Sequence, residues 1–366
     1  MKKSNVTIIA AVLIALHILA FSALLRSGKD NVETSDPTAS LPAPAPVEPA
    51  PEPIADFAVP ELAIPVEIVK REPAQRRETI AVPGTREGYL RSDRPNRRTS
   101  KIYPELIGDP YRSAIVVNAR TGKILYENRA TTYCYPASVT KLMTMLIVLE
   151  QIDAGVISLT DKVEITKEVA TIGGSEVYLD RRESGFYSVD DLLKALMIHS
   201  ANDAARALAL HVAGTRAAFV DMMNQKAREL GMNSTVYHTE HGLPPSDGTQ
   251  PDISTAYDIA ILSLAALRHP ETLGYTETKL AWLEKSPIRK EKFMLANRNA
   301  LVGKEPYPGC DGLKTGYHSK GGWSLTATAV QNENRVVSVV LGVANRNSRN
   351  ATSRKLLDKG FEALGK

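Results

Sequence analysis

Two pairs of short apolar runs bracket a long stretch of helical periodicity. Residues 113–118 read Ser-Ala-Ile-Val-Val-Asn and residues 123–126 read Lys-Ile-Leu-Tyr, on either side of the turn signal Ala119-Arg120-Thr121-Gly122. β-branched runs around such a turn predict a β-hairpin. A second pair spans residues 323–330 and 335–343 around Gln331-Asn332-Glu333-Asn334. Between the pairs, apolar positions recur at helical spacing over residues 139–149, 189–198, 203–212, 216–230 and 255–267, and a closing helix is predicted over 348–364. Strands outside and helices inside predict an α+β fold, an antiparallel sheet flanked by helices. Order is expected to begin near Tyr111, and no internal repeat is found.

The amino-terminal third follows other rules. Lys2 and Lys3 precede an uncharged apolar run over residues 6–25, long enough to span a bilayer. Signal peptides usually carry a shorter apolar stretch, and Ala20-Phe21-Ser22 is a mediocre cleavage site, so an uncleaved anchor is expected. Arg26 and Lys29 nearly balance the two leading lysines, so charge orients the segment only weakly. Proline then recurs at Pro37, Pro42, Pro44, Pro46, Pro49, Pro51 and Pro53, and again at Pro60, Pro65, Pro73 and Pro83. Such a stretch neither pairs in a sheet nor continues a helix, and it predicts a partly extended, disordered spacer. The expected division is a cytoplasmic tip (1–5), a membrane segment (6–25), a Pro-rich linker (26–108) and one folded domain (109–366).

Composition adds class rather than function. Hydrophobic residues make up 43% and charged ones 23% of the 366, ordinary for a globular chain. The net charge of +4 is small, and Arg86, Arg91, Arg94, Arg97 and Arg98 lie ahead of the expected domain. That distribution argues against a nucleic-acid partner. Cys134 and Cys310 have no neighbouring ligands that would make a metal cluster. In an exported chain they could form a disulfide; the alternative is two small buried apolar side chains.

Three short patterns carry candidate chemistry. Ser138-Val139-Thr140-Lys141 opens a run that is apolar nearly all round, hence a buried helix. Residues three apart share a helix face, so hydroxyl and amine lie side by side. Burial lowers a lysine's pKa until the amine can take a serine's proton. Ser200-Ala201-Asn202 places a hydroxyl and an amide on a turn between two helices, and Asp311-Gly312-Leu313-Lys314-Thr315-Gly316 precedes a predicted strand. Gly316 is expected to let a substrate backbone approach closely. Each pattern alone has a bland alternative: a capped helix start with a surface lysine, turn and cap residues, or an edge-strand turn.

Together and in this order, Ser-x-x-Lys, Ser-x-Asn and Lys-Thr-Gly form the motif set of penicillin-binding proteins and class A β-lactamases. The chain resembles the low-molecular-weight penicillin-binding proteins of the D-alanyl-D-alanine carboxypeptidase family over residues 111–364. Further matching runs are His241-Gly242-Leu243, Ser254-Thr255-Ala256-Tyr257-Asp258, Asn297-Arg298-Asn299-Ala300-Leu301, Val340-Leu341-Gly342 and residues 355–361. The resemblance implies a serine β-lactamase/transpeptidase-like fold with an all-helical subdomain. It implies Ser138 as acylated nucleophile, Lys141 as general base and Ser200 as a proton relay to the leaving amine. Asn202 would bind the substrate amide, while Lys314 and Thr315 would hold the terminal carboxylate beside Gly316. The backbone N–H groups of Ser138 and Tyr317 would form the oxyanion hole. Implied partners are peptidoglycan stem peptides and β-lactam inhibitors, on the periplasmic side of the bacterial cytoplasmic membrane, with no cofactor and no metal.

The chain departs from the family at several points. His318 stands where threonine is usual, Gly321 where alanine is common, and residues 179–187 replace a Pro-Gly turn. A second β-rich domain and a carboxy-terminal amphipathic anchor, frequent in the family, are not expected here; the amino-terminal segment and spacer would attach the enzyme instead. An endopeptidase cutting cross-links uses the same residues and stays open as an alternative. A class A β-lactamase would need a Glu-x-x-Leu-Asn loop, and the closest run, Glu229-Leu230-Gly231-Met232-Asn233, reads as a helix end. A non-catalytic wall-binding protein would need a damaged motif, and none is damaged. No Gly-x-Ser-x-Gly elbow or His-Glu-x-x-His helix occurs among the seven histidines.

Overall fold

The computed structural model describes Gly88, Leu90, residues 109–244 and residues 250–365. The expected tip, membrane segment and nearly all of the linker lie outside the described residues. Among the described residues no helix is long and apolar enough to cross a membrane.

The first half of the domain runs β1 (Ser113–Asn118), β2 (Ile124–Asn128), a 3-10 turn (Ala137–Thr140), α1 (Lys141–Asp153), α2 (Lys167–Ala170), a second 3-10 turn (Arg181–Glu183), α3 (Val189–Lys194), a π-helical turn (Ala195–His199), α4 (Asn202–Ala213) and α5 (Arg216–Glu229). There follow α6 (Ala256–Ala266), α7 (Glu271–Thr276), β3 (Leu280–Leu283), β4 (Phe293–Ala296), β5 (Cys310–His318), β6 (Gly322–Gln331), β7 (Asn334–Val343) and α8 (Arg346–Glu362). The main sheet has the order β2-β1-β7-β6-β5, antiparallel throughout, with β3 and β4 forming a separate ribbon. The amino-terminal hairpin therefore docks on the carboxy-terminal one, from Ser113↔Leu341 to Asn118↔Val336. This is the α+β architecture the pattern predicted.

β1 and β7 read as unbroken apolar runs because both faces of the sheet are covered. Ile115, Val117, Val337 and Val339 pack with the residues of α1, α4 and α6. Ala114, Val116, Val336 and Val340 face Leu356, Leu357 and Phe361 of α8. The sheet is thus a fixed floor, with the helical layer on one side carrying two of the three motifs.

Three expectations change. Residues 311–316 are not a loop beside a strand but part of β5, paired through Lys314↔Thr326, Thr315↔Leu325 and Gly316↔Ser324. Cross-strand pairing overrides the weak local strand preference of this glycine-rich run. Residues 189–198 are not one helix, since α3 widens into the π-helical turn before Ser200. Within the span read as linker, Leu90 is fully buried, its N–H donating to Gly122 O (2.9 Å), while the Ile124 N–H donates to Gly88 O (2.8 Å). Cys134 and Cys310 are free thiols, and burial pushes each up to about 12.

Because Leu357 is fully buried between α8 and the sheet, Leu357→Ala should lower stability by roughly 2–5 kcal/mol. Urea unfolding checks this, and a loss below about 0.5 kcal/mol would mean that α8 does not seal this face.

Candidate active site

Ser138 does not sit in a regular α-helix. It lies in the 3-10 turn ahead of α1, and Ala137 before it takes a φ of 50°. A residue with a Cβ is strained there, and such strain persists only where its surroundings enforce it. Gly242 supplies the enforcement: a Cβ on it would lie 1.9 Å from Ala137 O, so backbone presses on backbone at this point. α1 then buries every residue from Lys141 to Leu149, carrying a lysine amine into the core.

Lys141 Nζ lies 2.9 Å from Ser138 Oγ, 2.7 Å from Asn202 Oδ1 and 2.9 Å from His241 O. Burial strips its water and lowers its pKa to about 7, while the carboxylates of Glu240, Asp203 and Asp252 pull it back up. A neutral amine has two N–H donors and one lone pair. Its donors match Asn202 Oδ1 and His241 O, which can only accept, because the Asn202 amide nitrogen is engaged in donating to Gly173 O (2.8 Å). That leaves the lone pair for the Ser138 hydroxyl proton, the geometry a general base requires.

The π-helical turn ends at Ser200, which adopts a left-handed conformation (φ 67°, ψ 35°), and α4 starts at Asn202. Asp203, buried behind them, accepts the N–H groups of Val177, Leu179 and Ala204 and so fixes the facing loop. From the sheet side, Lys314 Nζ donates to Ser200 Oγ (2.8 Å) and to Thr315 O (3.1 Å). Its ammonium is disfavoured by burial and by Lys141, Arg298 and Arg349, which hold its pKa well below the usual lysine range. Gly316 also has a structural reason: a Cβ there would lie 2.5 Å from Pro136 O, so the missing side chain admits the turn that carries Ser138.

Ser138, Ser200, Asn202, Thr315, Gly316 and Tyr317 all line one cavity of about 600 Å³. The two lysines are buried behind its wall. Arg298, Arg346 and Arg349 line it too, and sequence reasoning gave them no role. Arg298 is fastened to His199 through O (3.2 Å) and Nε2 (3.0 Å). Arg349 is buried, bonds Asn350 Oδ1 (2.7 Å), and has its guanidinium held down at about 10 by burial. Arg346 lies over Trp323, on which Tyr317 also stacks, with ring centroids 4.4 Å apart. Arg346 and Arg349 are three apart at a helix start, a one-face spacing visible in the sequence. No Asp or Glu occurs among the described lining residues. Such a wall attracts an anionic ligand.

His318 explains one departure from the family pattern: its Nδ1 accepts the N–H groups of Lys320 and Gly321 (3.1 Å each), closing the β5–β6 turn, and its ring packs on Tyr135. Glu229 closes α5 and pairs with Lys226 (2.7 Å), apart from the cavity lining. Among the described residues no group of three or more His, Cys, Asp or Glu side chains could hold a metal ion.

The family described as D-alanyl-D-alanine carboxypeptidase matches residues 110–345. The chain is 36% identical over 265 residues to D-alanyl-D-alanine carboxypeptidase DacF of Bacillus subtilis (strain 168), covering 72% of this chain and 64% of that one. It is 30% identical over 250 residues to a D-alanyl-D-alanine endopeptidase of Haemophilus influenzae, covering 68% of this chain and 79% of that one. The solved structure of penicillin-binding protein D2 from Listeria monocytogenes in its ampicillin-bound form is similar with a TM-score of 0.60 at 31% identity, covering 70% of this chain and 99% of that one. The chain spans 61% to 64% of the length of three carboxypeptidases to which it is 36% identical.

Only the neutral Lys141 amine can accept a proton, so the rate of Ser138 modification should rise with pH through about 7 and be lost below it. Lys141→Arg, which stays charged, should lower that rate on the order of a hundredfold or more. Stopped-flow acylation by a fluorescent penicillin measures both, and an active arginine variant would mean that another group takes the proton.

Proposed function

The chain belongs to the D-alanyl-D-alanine carboxypeptidase family, and from that premise we propose that it is a serine-type peptidase removing the terminal D-alanine from peptidoglycan stem peptides. The observation that carries this reading is the buried Lys141 amine poised on Ser138, in a cavity whose described lining holds three arginines and no carboxylate. A peptide ending in D-alanine brings the matching anion.

In this reading Lys141 takes the Ser138 proton as Oγ attacks the carbonyl carbon of the penultimate D-alanine. The oxyanion forms at the N–H groups of Ser138 and Tyr317, donors of a kind that contributes about 3 kcal/mol each. Asn202 holds the substrate amide, and Thr315 with Lys314 holds the terminal carboxylate. The bound carboxylate restores the Lys314 ammonium that burial disfavours, and Lys314 passes that proton through Ser200 to the amine, which departs as D-alanine. Water then attacks the Ser138 ester, its proton returning to Lys314 through Ser200 while Lys141 gives its proton back to Ser138 Oγ, and the shortened peptide departs. A penicillin presents the same amide and carboxylate in a strained ring, so β-lactams are the proposed inhibitors.

We place the enzyme outside the cytoplasmic membrane, tethered by residues 6–25 and spaced from it by the proline-rich segment. A second reading, cleavage of cross-links, draws support from the endopeptidase relative, 79% of whose length this chain covers.

The full chain, purified in detergent, should release D-alanine from a stem pentapeptide, with Ser138→Ala inactive. Mass analysis of pentapeptide and cross-linked dimer in parallel decides between the readings: cutting of the dimer alone would replace the carboxypeptidase by the endopeptidase. Activity surviving in Ser138→Ala would remove both.

A further inference from the structure

Lys141 can act as base only while its two proton acceptors stay in place, and one of them is a backbone carbonyl. His241 O belongs to the strap of residues 238–242, which has no regular secondary structure to hold it. What holds it is a buried carboxylate. Asp252, 1% exposed, accepts the N–H groups of His238 (2.7 Å) and Thr239 (3.0 Å) at Oδ1. At Oδ2 it accepts the hydroxyls of Thr140 (2.8 Å) and, at longer range, Thr239 (3.5 Å). A two-residue bridge, Val236↔Ile253, brings Asp252 beneath the strap. Thr239 Oγ1 in turn accepts the Gly242 N–H (2.9 Å), and Thr144 Oγ1 donates to Glu240 O (2.6 Å).

Thr140 sits between Ser138 and Lys141. One carboxylate thus connects the nucleophile's turn directly to the strap that bears the second acceptor. We propose that Asp252 is a positioning residue for the proton transfer from Ser138 to Lys141: it ties strap to turn and thereby aims the His241 carbonyl at the lysine amine. This rests on the reading of Ser138 as the acylated nucleophile. Without the tie, His241 O can swing away, and the amine loses the acceptor that keeps its lone pair turned toward Ser138.

The charge matters as well as the geometry. The Asp252 carboxylate is one of three, with Glu240 and Asp203, that raise the Lys141 pKa against the pull of burial. The other ionisable groups in this region are Tyr237, His238 and His241 along the strap and its approach and Arg206 of α4, which pairs with Glu240 (2.7 Å). Burial and the charge of Glu240 raise Asp252 while its bonds from His238, Thr140 and Thr239 lower it, leaving it at about 7. Its charge thus supports Lys141 only above that pH, where Asp252 is ionised.

The test compares acylation of the full chain by a fluorescent penicillin in Asp252→Asn and Thr140→Val, separating the binding constant from the acylation rate by varying the penicillin concentration. Both variants should acylate on the order of tenfold to a hundredfold more slowly, with binding within about twofold of the unaltered chain. The acidic limb of the pH profile should stay near its place in both variants, because Asp252 is itself largely neutral below about 7. Acylation within about twofold in both variants, or a loss confined to binding with the acylation rate unchanged, would overturn the proposal. Should Asp252→Asn fail to fold, as circular dichroism would report, the Thr140→Val rate decides by the same margin. Failure of the unaltered chain to become labelled would sink the nucleophile reading itself.

Discussion

Keeping the Lys141 amine out of water governs the rest of the site. A fall in pKa from 10.5 to about 7 shifts the balance toward the neutral form by roughly 5 kcal/mol. That preference exists only because α1 is apolar on every side and drags the lysine inward. Burial alone would go further and leave the amine poorly basic; Glu240, Asp203 and Asp252 stop it near neutrality. Arg206 in turn pairs with Glu240 and partly cancels that restraint. The basicity of the site is a balance between one desolvation and several buried carboxylates, each needing its own satisfied partners.

The cleft is a seam between two bodies of structure. Ser138, Lys141, Ser200 and Asn202 come from the helical layer, while Lys314 to Tyr317 come from β5, the last strand of the sheet. Their meeting depends on contacts too close for side chains. Pro136 O lies where a Cβ on Gly316 would be, and Ala137 O where one on Gly242 would be. Ala137 and Ser200, both in left-handed conformations without being glycine, flank the cleft. The strain is placed where the hydroxyl-bearing Ser138 and Ser200 line the same cavity.

How much of this could be read from the sequence depends on the range of the interaction. The hairpins and the Ser138–Lys141 pair were legible because turn signals, alternation and helical spacing are local. The strand role of residues 310–318 was not, since Gly312, Lys314, Thr315 and Gly316 form no alternating pattern and become a strand only by pairing with β6. β3 and β4 were missed because four-residue strands around the charge-rich residues 284–292 look like loop. Arg298 and Arg349 come from segments that meet only after β7 returns across the sheet. Asp252 follows Pro251 in a segment that received no role from the sequence, and nothing nearby in sequence announces that Thr140 is its partner. Leu90 was hidden by its proline- and arginine-rich surroundings.

Under the proposed chemistry the two buried lysines would divide the proton traffic between them. Lys141 reaches Ser138 but is not bonded to Ser200; Lys314 reaches Ser200 but not Ser138. Under the proposed chemistry, attack places a proton on Lys141 and makes it a cation. Its field then bears on Lys314, whose ammonium it already disfavours. The second lysine becomes a better acid at the moment the leaving amine needs a proton, and Ser200 is the hydroxyl between them. Once the bound carboxylate has restored the Lys314 ammonium that burial disfavours, one lysine would gain the charge that the other gives up, and no net charge would be buried or released during acylation. In a cavity of low dielectric, where an uncompensated charge is costly, that exchange keeps the barrier from including a new desolvation. The arginines can then remain committed to the anion of the ligand.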